Sequence, residues 1–308
     1  MSDYLLQGVR YSKDVLNMTQ RAPLPERGIL AISGADWRAF LQGLVSNDVE
    51  RVSAERAVYA ALLTPQGKFL HDFFLVGHGD GVLLEGAAER LPDLSKRLSM
   101  FKLRADVAIE DVSGDWRVEA AFGDGVASVL GLDNERGQAQ PFANTGVAFV
   151  DPRLADAGVR LLLPVAVDAP SDLSQADATD YDRHRLALGL PDGARDMVVE
   201  KATLLESGFD ELAGVDWDKG CYMGQELTAR TKYRGLVKKR LVPVTVDGPL
   251  PEAGTPVIMG EREAGEMRSG RDGVGIALMR LEHLDDPAAT FTCGDASLRP
   301  AKPAWADF

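Results

Sequence analysis

Residues 219–240 read KGCYMGQELTARTKYRGLVKKR. They hold seven basic residues and one acid, Glu226, for a local charge of +6. The whole chain carries −13, so everything outside this stretch carries −19. One reading is a solvated basic helix end. The other is a local anion site on an acidic protein. Cys221 sharpens the choice. It sits between Gly220 and Gly224, two residues after Lys219, ahead of a helix expected over Gln225–Thr231 that carries Arg230. A thiol at a helix N-terminus beside cations is shifted toward thiolate, the nucleophilic and metal-binding form. The competing reading is a buried, inert cysteine. Flanking glycines and charges argue against deep apolar burial. Cys293 ends a Thr-Cys-Gly run without charged neighbours and reads as structural.

Other familiar chemistry is missing. The four histidines show no HxxxH or HExxH spacing, and neither GxSxG nor GxxxxGK[ST] occurs. His71-Asp72 lies in an expected strand, so the two side chains point to opposite faces and form no dyad. Two cysteines cannot complete a four-cysteine zinc or iron–sulfur site within one chain.

The elements that must hold these residues alternate in type. Gly28–Ile32 reads as a strand, and Ser33-Gly34-Ala35-Asp36 as a capping box for a helix carrying Trp37, Phe40, Leu41 and Leu44. Residues 57–63 form a buried strand, Pro65-Gln66-Gly67 a turn, and 68–76 with 81–85 a hairpin. A helix follows over 87–101, with Pro92 in its first turn. Strands are expected at 105–111 and 116–122, and a helix near 176–188. From about 240 onward short strands alternate with Gly and Pro, the pattern of a small all-β module. The order predicts an α+β layer with helices on one sheet face, then the β module.

The 308 residues suffice for two or three domains. With 45% hydrophobic and 26% charged residues, the chain is neither disordered, collagen-like nor coiled-coil. No apolar run approaches the roughly 18 residues of a membrane span. Net acidity disfavours nucleic acid and anionic membrane as partners. Scarce cysteine and no visible export signal fit a reducing cytoplasm.

Lys219-Gly220-Cys221-Tyr222-x-Gly224-Gln225-Glu226-x-x-x-Arg230 matches all eight specified positions of K-G-C-[FY]-x-G-Q-E-x3-R. By this signature the chain resembles the YgfZ-type folate-binding proteins of iron–sulfur cluster assembly and repair. Phe40–Val49 resembles that family's FLQGQVTNDV segment, and Gly273–Arg280 its C-terminal strand. The likeness covers roughly residues 28 to 300. It implies the fold of the glycine-cleavage T-protein: a ring of α+β subdomains around a central cavity, with a C-terminal β-barrel. Residues 1–240 would form the folate-binding part, two intertwined subdomains with an inner region near 55–150, and 241–308 the barrel.

The resemblance also assigns roles. Cys221 becomes the working thiolate and a ligand to a transient [2Fe-2S] cluster, with Lys219 and Arg230 stabilising its charge. Gln225 and Glu226 would fix the loop and helix start. Asp72 matches the second Asp of the T-protein's GG-x-x-DD stretch, at its folate reaction centre, and His71 replaces the first. Tyr59 matches a T-protein strand tyrosine. Asp72, Tyr59, Asn47, Tyr222, Gln225 and Glu226 are the implied contacts for tetrahydrofolate. A carboxylate suits the pterin's N–H donors, and an aromatic ring can cover its face. The sequence departs from relatives at Ala187, often Glu, and at Gly208, where they carry Asn. The implied function is assembly or repair of client iron–sulfur clusters together with a scaffold or A-type carrier protein. The alternative is a folate-dependent one-carbon transferase, and the weakest is an RNA-binding factor stacking bases on Tyr222 and Tyr233.

Overall fold

The computed structural model describes residues 19–284 and 289–308. Strands β1 (Gln20–Pro23) and β2 (Arg27–Ser33) precede helix α1 (Trp37–Gln42). Then come β3 (Val58–Leu63), β4 (Phe69–His78), β5 (Gly81–Ala87), α2 (Leu91–Lys102) and β6 (Ala108–Asp111). A second group holds β7 (Trp116–Phe122), α3 (Val126–Val129), β8 (Ala139–Phe142), β9 (Gly146–Val150), β10 (Val159–Pro164) and β11 (Ser174–Gln175). Helices α4 (Ala178–Ala187), α5 (Gly193–Asp196) and α6 (Gln225–Tyr233) lead to the last strands. These are β12 (Lys239–Asp247), β13 (Pro256–Met259), β14 (Arg262–Arg271), β15 (Val274–Arg280), β16 (Phe291–Cys293) and β17 (Ala296–Pro300).

Three sheets result: β3-β4-β5-β2-β6, β11-β1-β7-β10-β9-β8, and a closed barrel β12-β15-β14-β13-β16-β17. Alternation along the strands sorts their side chains. Tyr59, Ala61, Phe74 and Val76 of the first sheet share one core with Val118, Ala120, Phe149 and Leu162 of the second. The opposite face of the first sheet, with Val58, Ala60, Phe73 and Leu75, is covered by Leu91, Leu94 and Leu98 of α2. The opposite face of the second sheet packs Val159, Leu161 and Leu163 with Val126 and Ala127 of α3. The two sheets thus meet face to face, with helices outside each. The expected helix layer on one sheet face becomes two outer layers. The implied inner region, 55–150, spans parts of both sheets.

A shift of register between Leu62 and Leu63 makes Leu70 an extra residue in β4. The bulge sends His71 to the α2 side and Asp72 to the shared core. Nε2 of His71 donates to Asp93 of α2 at 2.8 Å, while Asp72 accepts from the Tyr59 hydroxyl at 2.9 Å. The two residues do stand on opposite faces.

The capping box expected at Ser33–Asp36 does not form. Asp36 caps α1 only by position. Its carboxylate instead accepts from the Asp106 N–H, and Asp106 accepts from that of Ala35, tying α1 to the strand-entry loop of β6. A true capping box opens α4, between Asp177 and Asp180. It starts the helix that docks on the barrel.

Candidate functional site

Two separate features carry the chemistry. The first is the loop bearing Cys221, which is exposed. Its rigidity comes from behind. Asp216 accepts from the backbone N–H groups of Asp218 and Lys219, each at 2.8 Å. The Lys219 ammonium turns inward and donates to the carbonyls of Val45 at 2.7 Å and Asn47 at 2.6 Å. Burial draws its pKa down to about 8. Lys219 therefore anchors the loop, and the expectation that it faces the thiol is corrected. Two backbone acceptors outcompete a solvent-facing sulfur for a buried ammonium. Tyr222 is buried, with the same ammonium 5.4 Å from its ring centre.

Gly224 ends the loop at φ +82°, where a side chain would meet the Thr64 carbonyl oxygen at 2.7 Å and Gly67 Cα at 2.9 Å. Only glycine allows this contact between the Cys221 loop and the Pro65–Gly67 turn. Helix α6 follows with no side-chain cap. Glu226 lies exposed in its first turn, and Arg230 is exposed near its end without an ion pair among the described residues. Gln225 and Glu226 make no side-chain hydrogen bond there. The Gln225 backbone N–H donates to the Tyr222 carbonyl at 3.2 Å, so backbone geometry starts the helix.

The basic stretch is partly spent inside the fold. Lys232 pairs with Asp210 at 3.0 Å and stands 4.0 Å from the Trp217 ring centre. Arg240 pairs with Glu211 at 2.8 Å. With Lys219 buried, three of the seven cations are committed to structure.

The second feature is a cavity of about 140 Å³ between the two sheets, α4, α5 and the barrel. Its wall holds six arginines (Arg27, Arg153, Arg160, Arg185, Arg195, Arg271) and the acids Glu26, Asp72, Asp182 and Asp192. Arg27 pairs with buried Glu85. Arg153 grips Asp151 at 2.8 and 3.0 Å. Asp182 accepts from Arg185, Arg195 and Arg271, the last reaching over from β14. These cations hold Asp182, against its burial, down to about 2. Arg185 also meets Asp196 at 2.8 Å and the Ser269 hydroxyl at 3.1 Å. The barrel is thus fastened to α4 at the cavity rim.

Asp72 is the one cavity-wall residue among those the sequence singled out. Burial pushes its carboxyl up from the usual range. Gly193 of α5 abuts it, since a side chain there would overlap the carboxylate. Tyr59 holds Asp72, but its ring already lies against Phe74 and Phe209, at 5.3 and 4.8 Å between centres, with Arg153 at 5.4 Å. Asn47 spends its amide on the carbonyls of Tyr59 at 2.6 Å and Ala213 at 2.7 Å, and its side-chain oxygen on the Asp48 N–H. The structure makes Tyr59 and Asn47 supports of the site; their rings and amides are used internally. No group of three or more His, Cys, Asp or Glu placed to hold a metal occurs among the described residues.

Residues 238–308, the barrel, match the family described as CAF17, C-terminal beta-barrel domain. Over nearly the whole length the fold is that of aminomethyltransferase T of the glycine cleavage system from Bartonella henselae. The TM-score is 0.76 over 94% of this chain and 86% of that one, at 14% identity. The expected aminomethyltransferase-like fold with a terminal barrel is present. Sequence comparison goes further. The chain is 33% identical to the iron–sulfur cluster assembly factor IBA57 homolog, mitochondrial, of Mycosarcoma maydis, over 85% of this chain and 74% of that protein. It is 34% identical to the mouse and human mitochondrial IBA57 factors, over 86% of this chain and 78% of each. The chain belongs to the IBA57 family.

Membership corrects one expectation. These IBA57 proteins are named mitochondrial, which overturns the cytoplasmic assignment. Scarce, reduced cysteine reports a redox environment and does not distinguish one reducing compartment from another. No helix among the described residues is long and apolar enough to cross a membrane.

Sequence reasoning missed most of the cavity wall of this IBA57-family chain. One signal was available. In the Val159–Leu163 run Arg160 is a lone charge at an inward position, and such a charge needs a partner. The Asp182/Arg185 pair, one helical turn apart, was another. Gly208 finds an explanation, while nothing in the structure explains Ala187. At Gly208, φ is +75°, and a side chain would strike the Trp305 ring at 2.6 Å. The glycine lets the C-terminal tail close over this segment.

Proposed function

We propose that the chain helps assemble iron–sulfur clusters by lending Cys221 as one ligand of a cluster shared with a partner carrier. The supporting observation is the loop. An exposed thiol is held on a backbone clamped by Lys219, Asp216 and Gly224, with no second cysteine near it, because Cys293 is buried in the barrel. The remaining ligands then come from another protein or a small thiol. Leu227, Tyr233 and Leu236 are exposed on and just past α6. A protein partner would cover them. Four cations of the stretch, Arg230, Arg234, Lys238 and Lys239, have no ion pair among the described residues and suit an acidic partner such as an A-type carrier. The likeness to the YgfZ-type signature points the same way.

The test is anaerobic reconstitution of the chain mixed with an A-type carrier, reading visible absorption and iron per complex. A [2Fe-2S] chromophore should form in the mixture and disappear with Cys221→Ala. Equal cluster content in the variant, or a cluster on the chain alone, would refute sharing through Cys221.

The cavity supports a second element of this reading, a tetrahydrofolate derivative as ligand. The donor set is compatible. One Asp72 oxygen takes the Tyr59 hydroxyl, and the other bears no hydrogen bond among the described residues, so it can accept from a pterin N–H. When bound, folate would supply one-carbon chemistry. Asp72 would orient it or hold a proton, and the closely packed wall would exclude water. Asp72→Ala should weaken 5-formyltetrahydrofolate binding at least tenfold in calorimetry and leave cluster formation in place. The transferase alternative, with Cys221 as nucleophile, needs the thiol in the same site. Cys221 lies outside the cavity wall, which favours the cluster reading.

A further inference from the structure

Arg160 is the cavity cation that nothing above uses. On β10, Val159, Leu161 and Leu163 pack against the outer core, while Leu162 faces the core between the sheets. By alternation Arg160 points the same way as Leu162, and it lines the cavity at 5% exposure. Its Nη2 donates to the Tyr181 hydroxyl at 3.0 Å. Its guanidinium carbon lies 4.9 Å from the Tyr181 ring centre and 5.4 Å from that of Phe74. Its Nε and Nη1 are buried and donate to no group among the described residues. The other five arginines of the wall each pair with a carboxylate, and Arg160 has none there.

A buried guanidinium with idle donors is costly, and an apolar residue in this strand position would avoid that cost. Aromatic faces on Tyr181 and Phe74 offset part of it without using the N–H groups. The charge around the cavity limits what could answer Arg160. Asp182, Glu85, Asp151 and Asp196 match the paired arginines, while Glu26, Asp72 and Asp192 also face the space. A multiply charged anion such as phosphate would be repelled by these carboxylates. A single negative charge beside Arg160 would not.

We propose that Arg160 is the counter-ion for one carboxylate group entering the cavity, with Nε–H and Nη1–H as its donors. The carboxylate has two chemical sources. It can belong to a small free acid, or to the glutamate tail of a folate. The inference does not depend on the folate reading, nor on Cys221.

The experiment titrates the full chain by calorimetry with four probes: benzoate, 4-aminobenzoylglutamate, 5-formyltetrahydrofolate and inorganic phosphate. Wild type is compared with Arg160→Gln and Arg160→Lys, and thermal unfolding without ligand separates a folding loss from a binding loss. At least one carboxylate probe should bind wild type. Its affinity should fall about tenfold or more in Arg160→Gln, the scale of a charge-assisted hydrogen bond, and less in Arg160→Lys. Binding of benzoate assigns the site to a free acid. Binding of the two glutamate-bearing probes alone assigns it to a folate tail. The proposal is overturned if no carboxylate binds wild type, if Arg160→Gln binds equally well, or if phosphate binds more tightly than every carboxylate. Cluster formation through Cys221 should be unchanged in both variants, so this proposal can fail while that one stands.

Discussion

At the scale of single residues, two buried arginines of one cavity should respond oppositely to the same substitution. Arg153 holds Asp151 through two nitrogens and caps the Pro191 carbonyl. Arg153→Met strips buried Asp151 of its hydrogen-bonded ion-pair partner, a loss of about 3–5 kcal/mol. Arg160 pairs with no carboxylate among the described residues, so Arg160→Met should leave stability within about 1 kcal/mol of wild type or raise it. Urea unfolding of both variants reads the difference. A large loss in Arg160→Met would mean that its ring contacts and the Tyr181 bond outweigh its idle donors. The same contrast shows how far a site can be read from sequence. Cys221 stands out because its neighbours in the chain are its context: glycines, a helix start and a dense motif. Arg160 does not, because its partners are Phe74 on β4 and Tyr181 on α4, both far from it in the chain.

At the scale of elements, two contacts between neighbours set testable behaviour. The first is the hold of the Cys221 loop on the Val45–Asn47 segment. Lys219→Met strands two carbonyls that its ammonium had satisfied, costing about 2–3 kcal/mol. It should lower cluster formation with the carrier although Cys221 is intact, because the loop loses its backing. Full cluster yield in a folded Lys219→Met would show that the loop needs no anchor. The second is the packing of α2 on β4 through His71 and Asp93. Burial draws the His71 pKa from its ordinary 6.5 down to about 4. Between those values the unfolded chain binds a proton that the fold refuses. Stability therefore falls as pH drops from about 6.5 to about 4, by up to about 3 kcal/mol, and His71 adds no slope above pH 7. His71→Phe should flatten this part of the stability profile in unfolding experiments run from pH 4 to 7. Most of these elements were legible in the sequence, since strands such as 58–63 and helices such as Leu91–Lys102 follow local periodicity. The failed capping box at Ser33–Asp36 shows the limit. Asp36 had the right spacing for a cap, but a competing backbone N–H at Asp106 took its carboxylate.

At the scale of the whole molecule, the barrel and its tail close the structure around the cavity. Arg271 of β14 reaches Asp182 on α4, and Trp305 donates to the Leu188 carbonyl at 2.8 Å while its ring lies over Gly208. Trp305→Ala should cost about 2–3 kcal/mol, since the ring is half-buried between these segments. Gly208→Ala should cost more than the roughly 1 kcal/mol expected for a left-handed glycine alone, because its methyl meets the indole. Combined with Trp305→Ala, the Gly208→Ala penalty should shrink toward that strain value. Additive penalties in a double-mutant cycle would disprove the contact.

The sequence by itself determined the element types, the terminal β module, the dense cysteine motif and the family likeness, because these rest on periodicity and residues adjacent in the chain. Only the tertiary structure decided that Lys219 serves the backbone, that Asn47 and Tyr59 are supports, and that Asp72 and Cys221 occupy different places. It also decided that six arginines from distant segments converge on one cavity. The physical reason is common to all of these. A buried donor or charge is assigned by whichever acceptor reaches it first in space, and nothing in chain spacing records that competition.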